Sequence, residues 1–195
     1  VFLDGKYAFG ITRANAETLQ IGMKLTSSDI DRLKEKDQEN RILSAALKSL
    51  SYRPKSENEL QKKLEQKGFD PEQITPVMDR LKQHRLINDN DFSAMWVENQ
   101  TNFRPRGKRL LSLELRKKGV GEENIADSLK DLDEERAAFE CAARYARRLQ
   151  GLDWKTFRAK LGGHLSRRGF GYDLTSQVIR KLWQEIQISD EDQPL

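Results

Sequence analysis

Cationic side chains are the chemistry-bearing residues that this sequence concentrates. Between Asn102 and Lys118 there are seven (Arg104, Arg106, Lys108, Arg109, Arg116, Lys117, Lys118) against one acid, Glu114. Between Arg144 and Trp183 there are ten, among them Arg144, Arg147, Arg148, Arg167 and Arg168, against Asp153 and Asp173. The stretch between these blocks, Val120 to Ala143, reverses the sign with eight acids and two cations. Clustered guanidinium and ammonium groups build a positive potential that attracts a polyanion or an acidic protein surface. The same blocks could instead neutralise one another within the chain, and pattern alone leaves both readings open. Phe103 and Trp154 are nearly the only aromatics beside the basic stretches, which argues against a dedicated platform for stacking single-stranded bases.

No set of residues here has the spacing of a catalytic site. Gly107-Lys108 resembles part of a phosphate loop, but Asn102 stands where its first glycine is required and Arg109 where a Ser or Thr should meet magnesium. His84 and His164 are far apart with no cysteine cluster nearby, so no metal site is expected. The abundant carboxylates read as solvated helix faces. Cys141, the single cysteine, lies among alanines and reads as packing. Binding without catalysis or a cofactor is the expectation.

The elements that would position the cations repeat three times. Leu60 and Leu64 precede Lys67-Gly68-Phe69; Leu111 and Leu115 precede Lys118-Gly119-Val120; Leu161 and Leu165 precede Arg168-Gly169-Phe170. Leucines four apart share one face of a helix. A cation and then glycine after them mark a helix C-terminus, with the glycine in the left-handed cap. The three glycines stand 51 and 50 residues apart, a period that means tandem units with Gly68, Gly119 and Gly169 as equivalent corners. Asp70, Gly121 and Gly171 then stand as N-caps of following helices, Asp70 with Pro71 at N1 and Gln73 at N3. Those helices carry Ile74, Val77, Met78 and Leu81; Ile125 and Leu129; and Leu174, Val178, Ile179 and Leu182.

Residues 1–25 form an N-terminal extension in which Asp4-Gly5 predicts the type I′ turn of a short β-hairpin. Thr26 with Asp29 and Ser56 with Glu59 are capping boxes. Residues 26–87 are the first helical repeat with a leading helix, 88–132 the second and 133–186 the third. Residues 187–195 are acidic, lack periodicity and read as a disordered tail. Charged residues make up 34% and apolar ones 36%, so cores must be thin, as small stacked units allow. No apolar run reaches the length of a membrane span and no signal peptide is visible, so a cytoplasmic protein is expected. The chain opens at Val1 rather than Met, and residues preceding it are expected.

The run Ala45-Ala46-Leu47, Leu50, Arg53-Pro54-Lys55-Ser56-Glu57, Glu59-Leu60, Lys63-Leu64, Lys67-Gly68 resembles the opening repeat of the RecX family. Leu86-Ile87-Asn88-Asp89, Phe92, Trp96, Leu113 to Gly119 and Leu165 to Phe170 resemble it as well, and the N-terminal extension is similar to that of the longer members in Gram-positive bacteria. Two places depart from the family pattern. Arg85 stands where glycine is frequent, and the third copy has Trp154-Lys155 where the first two have Arg53-Pro54 and Arg104-Pro105. The resemblance implies a mainly α fold of three tandem three-helix repeats in a curved, elongated array. It implies a regulator of DNA repair and recombination that binds the RecA nucleoprotein filament and restrains its strand exchange, ATPase and coprotease activities. Weak contact with single- or double-stranded DNA, no membrane and a monomer are expected. The twelve cations named in the first block and among the five arginines of the second are the expected contact surface. Two other readings stay open: a helix-turn-helix-like transcription regulator, and a scaffold that binds protein only.

Overall fold

The structure, a computed structural model, describes residues 1–191, without the side chains of residues 14 and 188–191. It forms two compact units, of which the second begins at Asp89.

The first unit opens with β1 (Phe2–Leu3) and β2 (Lys6–Tyr7), antiparallel with Phe2 opposite Tyr7. Asp4 and Gly5 between them both take positive φ, 48° and 79°, as a type I′ turn requires. After the short helix α1 (Arg13–Ala16), helix α2 runs unbroken from Ser27 to Tyr52, so the polar run 34–41 does not interrupt it. Both capping boxes form: Thr26 with Asp29 on α2, and Ser56 with Glu59 on α3 (Glu57–Glu65). Helix α4 (Pro71–Gln83) closes the unit. Asp70 stands at its N-cap, but its side chain makes no capping bond, contrary to expectation. The carbonyl of Asp70 instead accepts from the amides of Gln73 and Ile74, and the Gln73 side chain is drawn across to α2 by Gln38 (3.3 Å). Ile42 and Ala46 of α2, Leu60 and Leu64 of α3, and Ile74, Val77, Met78 and Leu81 of α4 make the core.

The second unit holds two helix triplets: α5 (Asp89–Phe103), α6 (Lys108–Lys117) and α7 (Glu122–Leu129), then α8 (Glu134–Ala146), α9 (Trp154–Arg167) and α10 (Tyr172–Glu191). The last helix runs on to Glu191, so residues 187–191 of the expected disordered tail are helical, and 192–195 lie outside the described residues. An acidic, aperiodic run can extend a helix that packing has already nucleated, because propagation is far easier than nucleation.

All six leucines of the repeated pairs are fully buried. Gly68, Gly119 and Gly169 have φ of 86°, 79° and 86°. Past each, the amides of Phe69, Val120 and Phe170 donate to the carbonyls of Leu64, Leu115 and Leu165, while the glycine amides donate to the next carbonyls along, those of Glu65, Arg116 and Ser166. This is the Schellman pattern. Arg85 does the same work without glycine: its φ is 53°, and the Leu86 amide reaches the Leu81 carbonyl at 2.9 Å.

Asp37, 4% exposed, fastens the N-terminal extension to α2. Its Oδ1 accepts from the Thr12 amide (2.5 Å) and from Asn15 Nδ2 (3.1 Å), and Oδ2 pairs with Arg41 (2.8 Å). Burial pushes its carboxyl up, but these donors and the Arg41 charge outweigh burial and hold it below the usual aspartate value. A carboxyl depressed in the folded state stabilises at pH above its unfolded value, about 3.9, and the gain disappears as pH falls through the lower folded value. Amide exchange at Thr12 should therefore accelerate in that acidic window ahead of exchange in the α2–α4 core, and Asp37→Asn should show the faster rate already at neutral pH.

The corners differ in what surrounds them. A Cβ at Gly68 would meet nothing within 4 Å, whereas one at Gly169 would fall 2.4 Å from Leu110 Cβ and 2.7 Å from its amide nitrogen. Gly68→Ala should cost about 1–2 kcal/mol, the left-handed penalty alone. Gly169→Ala should cost distinctly more, and urea unfolding of the two variants compares them directly.

Candidate interaction surface

The Arg104-Pro105-Arg106-Gly107 turn does not project freely, as its composition suggests. Pro105 and Gly107 are buried, and the turn lies against the third glycine corner. The Gly107 amide donates to the Arg168 carbonyl at 2.9 Å, and a Cβ on Gly107 would stand 2.3 Å from the Gly169 carbonyl oxygen. Only glycine permits that approach. The Lys108 amide, at the start of α6, donates to Glu134 Oε1 (2.8 Å) at the start of α8. The second and third triplets are thus joined backbone to backbone.

This junction gathers cations from segments far apart in sequence. Arg104, Arg144, Arg148 and Arg168 line a hollow of about 180 Å³, with Phe103, Pro105, Cys141, Tyr145 and His164. No carboxylate is in its wall. Phe103, 76% exposed, stands at its edge. The His164 ring stacks on Tyr145 at 4.1 Å and nearly parallel, and its Nε2 lies 3.6 Å from Cys141 Sγ. Burial, then the charges of Arg168, Arg167 and Arg148, lower the His164 pKa, so the ring is neutral at physiological pH. Burial raises the Cys141 thiol against the opposing pull of Arg168 and Arg144, so it stays protonated and is no nucleophile. Among the described residues no three His, Cys, Asp or Glu side chains are grouped to hold a metal ion.

The remaining expected site residues divide. Arg106 is mostly buried and paired with Glu114, which also accepts from Trp96 Nε1 at 3.2 Å. Arg116 pairs with Glu122 across the second corner, one bond at 2.7 Å. The Lys118 ammonium sits 4.1 Å over the Trp96 ring. Each of these three cations therefore has a partner inside the second triplet. Arg144 is only loosely paired, 3.9 Å from Glu140. Lys108, Arg109, Lys117, Arg147 and Arg167 make no ion pair among the described residues, and Arg109 faces a different cleft, between α9 and α10. Lys155 and Arg158 of that cleft belong to the second basic block but not to the expected contact residues, and its Gly162-Gly163 pair escaped sequence reading; two adjacent glycines inside a helical period were the available signal. No helix among the described residues is long and apolar enough to cross a membrane.

Arg106→Ala should destabilise the second triplet by about 1–3 kcal/mol, because it leaves a mostly buried carboxylate without its charged partner. Reversing Arg104, Arg106, Lys108 and Arg109 together should therefore reduce the helical circular dichroism, where the sequence pattern by itself predicts none lost. A variant that spares Arg106 should keep the parent spectrum.

Comparison with known proteins matches each triplet to a separate domain. The first three-helix domain of RecX matches residues 43–81, the second 88–129 and the third 133–179. A regulatory protein RecX of Lactobacillus johnsonii is 28% identical over 99% of this chain and 72% of its own. One from Mycobacterium sp. (strain JLS) is 34% identical over 74% of this chain and 83% of its own. A crystal structure of regulatory protein RecX superimposes with a TM-score of 0.74 at 27% identity, covering 91% of this chain and 90% of that one.

Proposed function

The chain belongs to the RecX family, and from that membership we propose that it regulates homologous recombination by binding the RecA nucleoprotein filament. Binding would restrain strand exchange, ATPase and coprotease activity, with no reaction catalysed by this chain. The observation that carries the reading is the arginine hollow. Four guanidinium groups from three segments converge on a concave wall without a carboxylate, at a junction that glycine contacts hold rigid. Such a wall fits an acidic protein surface or a backbone phosphate, both present on a nucleoprotein filament. Phe103 at the edge supplies apolar contact area, as interface cores use.

Exposed cations of this kind contribute about 0–1 kcal/mol each, so single alanine changes should be mild. The triple variant Arg104→Glu, Arg144→Glu, Arg148→Glu spares every structural pair named above except the loose Arg144–Glu140 contact. It should retain the parent circular dichroism and lose inhibition of RecA ATPase on single-stranded DNA. Adding the protein before or after filament assembly separates an effect on nucleation from one on a formed filament. Inhibition at the parent concentration would refute the hollow as the contact site. Binding to RecA that persists at high salt would favour a protein-only interface over one that reaches the DNA.

A further inference from the structure

Gly162 and Gly163 sit inside α9, where glycine weakens a helix relative to alanine. Both line a cleft of about 600 Å³ between α9 and α10, within the size range of small-molecule sites. Trp154, Phe170 and Tyr172 also line it, and the Trp154 ring is steadied by Trp183 at 5.4 Å. Arg109, Lys155 and Arg158, all exposed and without an ion pair among the described residues, complete its charge. No carboxylate lines it: Asp153 is occupied in capping α9 through the Thr156 amide, and Asp173 is outside the lining. None of its residues lines the arginine hollow.

The N-terminus of the 20-residue helix α10 opens into this cleft through Gly171 and Tyr172. Thr175 donates its amide to the Gly171 carbonyl (2.9 Å), so the amides of residues 172–174 precede the first intrahelical bond and can meet an anion. Thr175 itself is 7% exposed and lines the cleft, and its hydroxyl has no hydrogen-bond partner among the described residues. A buried hydroxyl without a partner is uncommon, and a ligand atom is one group that would satisfy it. A simple anion would leave the aromatic lining unused, and an apolar ligand would leave Thr175 and the cations unused.

We propose that this cleft binds a nucleoside 5′-phosphate. The phosphate lies at the α10 N-terminus against the Thr175 hydroxyl and the Lys155 and Arg158 charges. The base lies between Trp154 and Tyr172, over the glycine pair that lets it approach the α9 backbone. Such a group is carried by a free mononucleotide or by the phosphorylated 5′ end of a strand. The proposal does not depend on the regulatory reading, and its test contains no RecA.

Calorimetric titration of the whole chain with AMP, a 5′-phosphorylated oligothymidylate, its unphosphorylated counterpart and inorganic phosphate tests it. One-to-one binding of AMP or of the phosphorylated strand is expected, about tenfold tighter than inorganic phosphate. Preference for AMP identifies the free nucleotide as the source, and preference for the phosphorylated strand identifies the strand end. Thr175→Val keeps the shape and removes the hydroxyl, and should weaken binding about tenfold. Gly162→Leu should abolish binding while keeping the helical spectrum and a urea midpoint no lower than the parent's, since a Cβ there meets Ile179 Cδ1 at an ordinary 3.6 Å and the longer side chain fills the cleft. Absence of saturation by AMP and by the phosphorylated strand up to about 1 mM, binding unchanged in Gly162→Leu, or inorganic phosphate binding as tightly as AMP would each overturn the assignment.

Discussion

The second leucine of each repeated pair performs two tasks that cannot be separated. The side chains of Leu64, Leu115 and Leu165 are fully buried, and their carbonyls accept the bonds from Phe69, Val120 and Phe170 that close each corner. The residue that anchors a helix to its core therefore also fixes where that helix ends. A left-handed residue two or three positions past the helix end makes the bond possible, and the apolar residue after it returns to the core. Val120 and Phe170 are each 4% exposed, so two of the corners are sealed by burial on both sides of the glycine. In a chain with so few apolar residues, this coupling lets a thin core specify both packing and direction.

The third corner is used twice. Its backbone closes α9, and the outer face of the same backbone receives the Gly107 turn of the preceding triplet. Two glycines meeting backbone to backbone leave no side chain to adjust, so the turn is fixed in place. Arg104, just before it, is thereby brought beside Arg144, Arg148 and Arg168. The acidic stretch contributes as well. Glu134 accepts from the Lys108 backbone amide, and Glu122 pairs with Arg116, which neutralises part of the alternating charge within the second unit. Four of the remaining cations line a wall that holds no carboxylate.

The sequence by itself determined the three corners, the leucine faces and both capping boxes, because each depends on residues within about six positions of one another. Helical period and cap chemistry act at that range. It also marked which segments are basic. It could not tell Arg106 from Arg104, two residues apart in one turn, the first paired with Glu114 and the second open to the hollow. Nor could it show that Arg85 would accept positive φ, that Asp70 would leave its cap unused, or that His164 would stack on Tyr145. Those outcomes depended on contacts between elements, which only the tertiary structure decided. The partners of a long side chain are fixed by which helices pack and at what register, and local pattern carries no record of either.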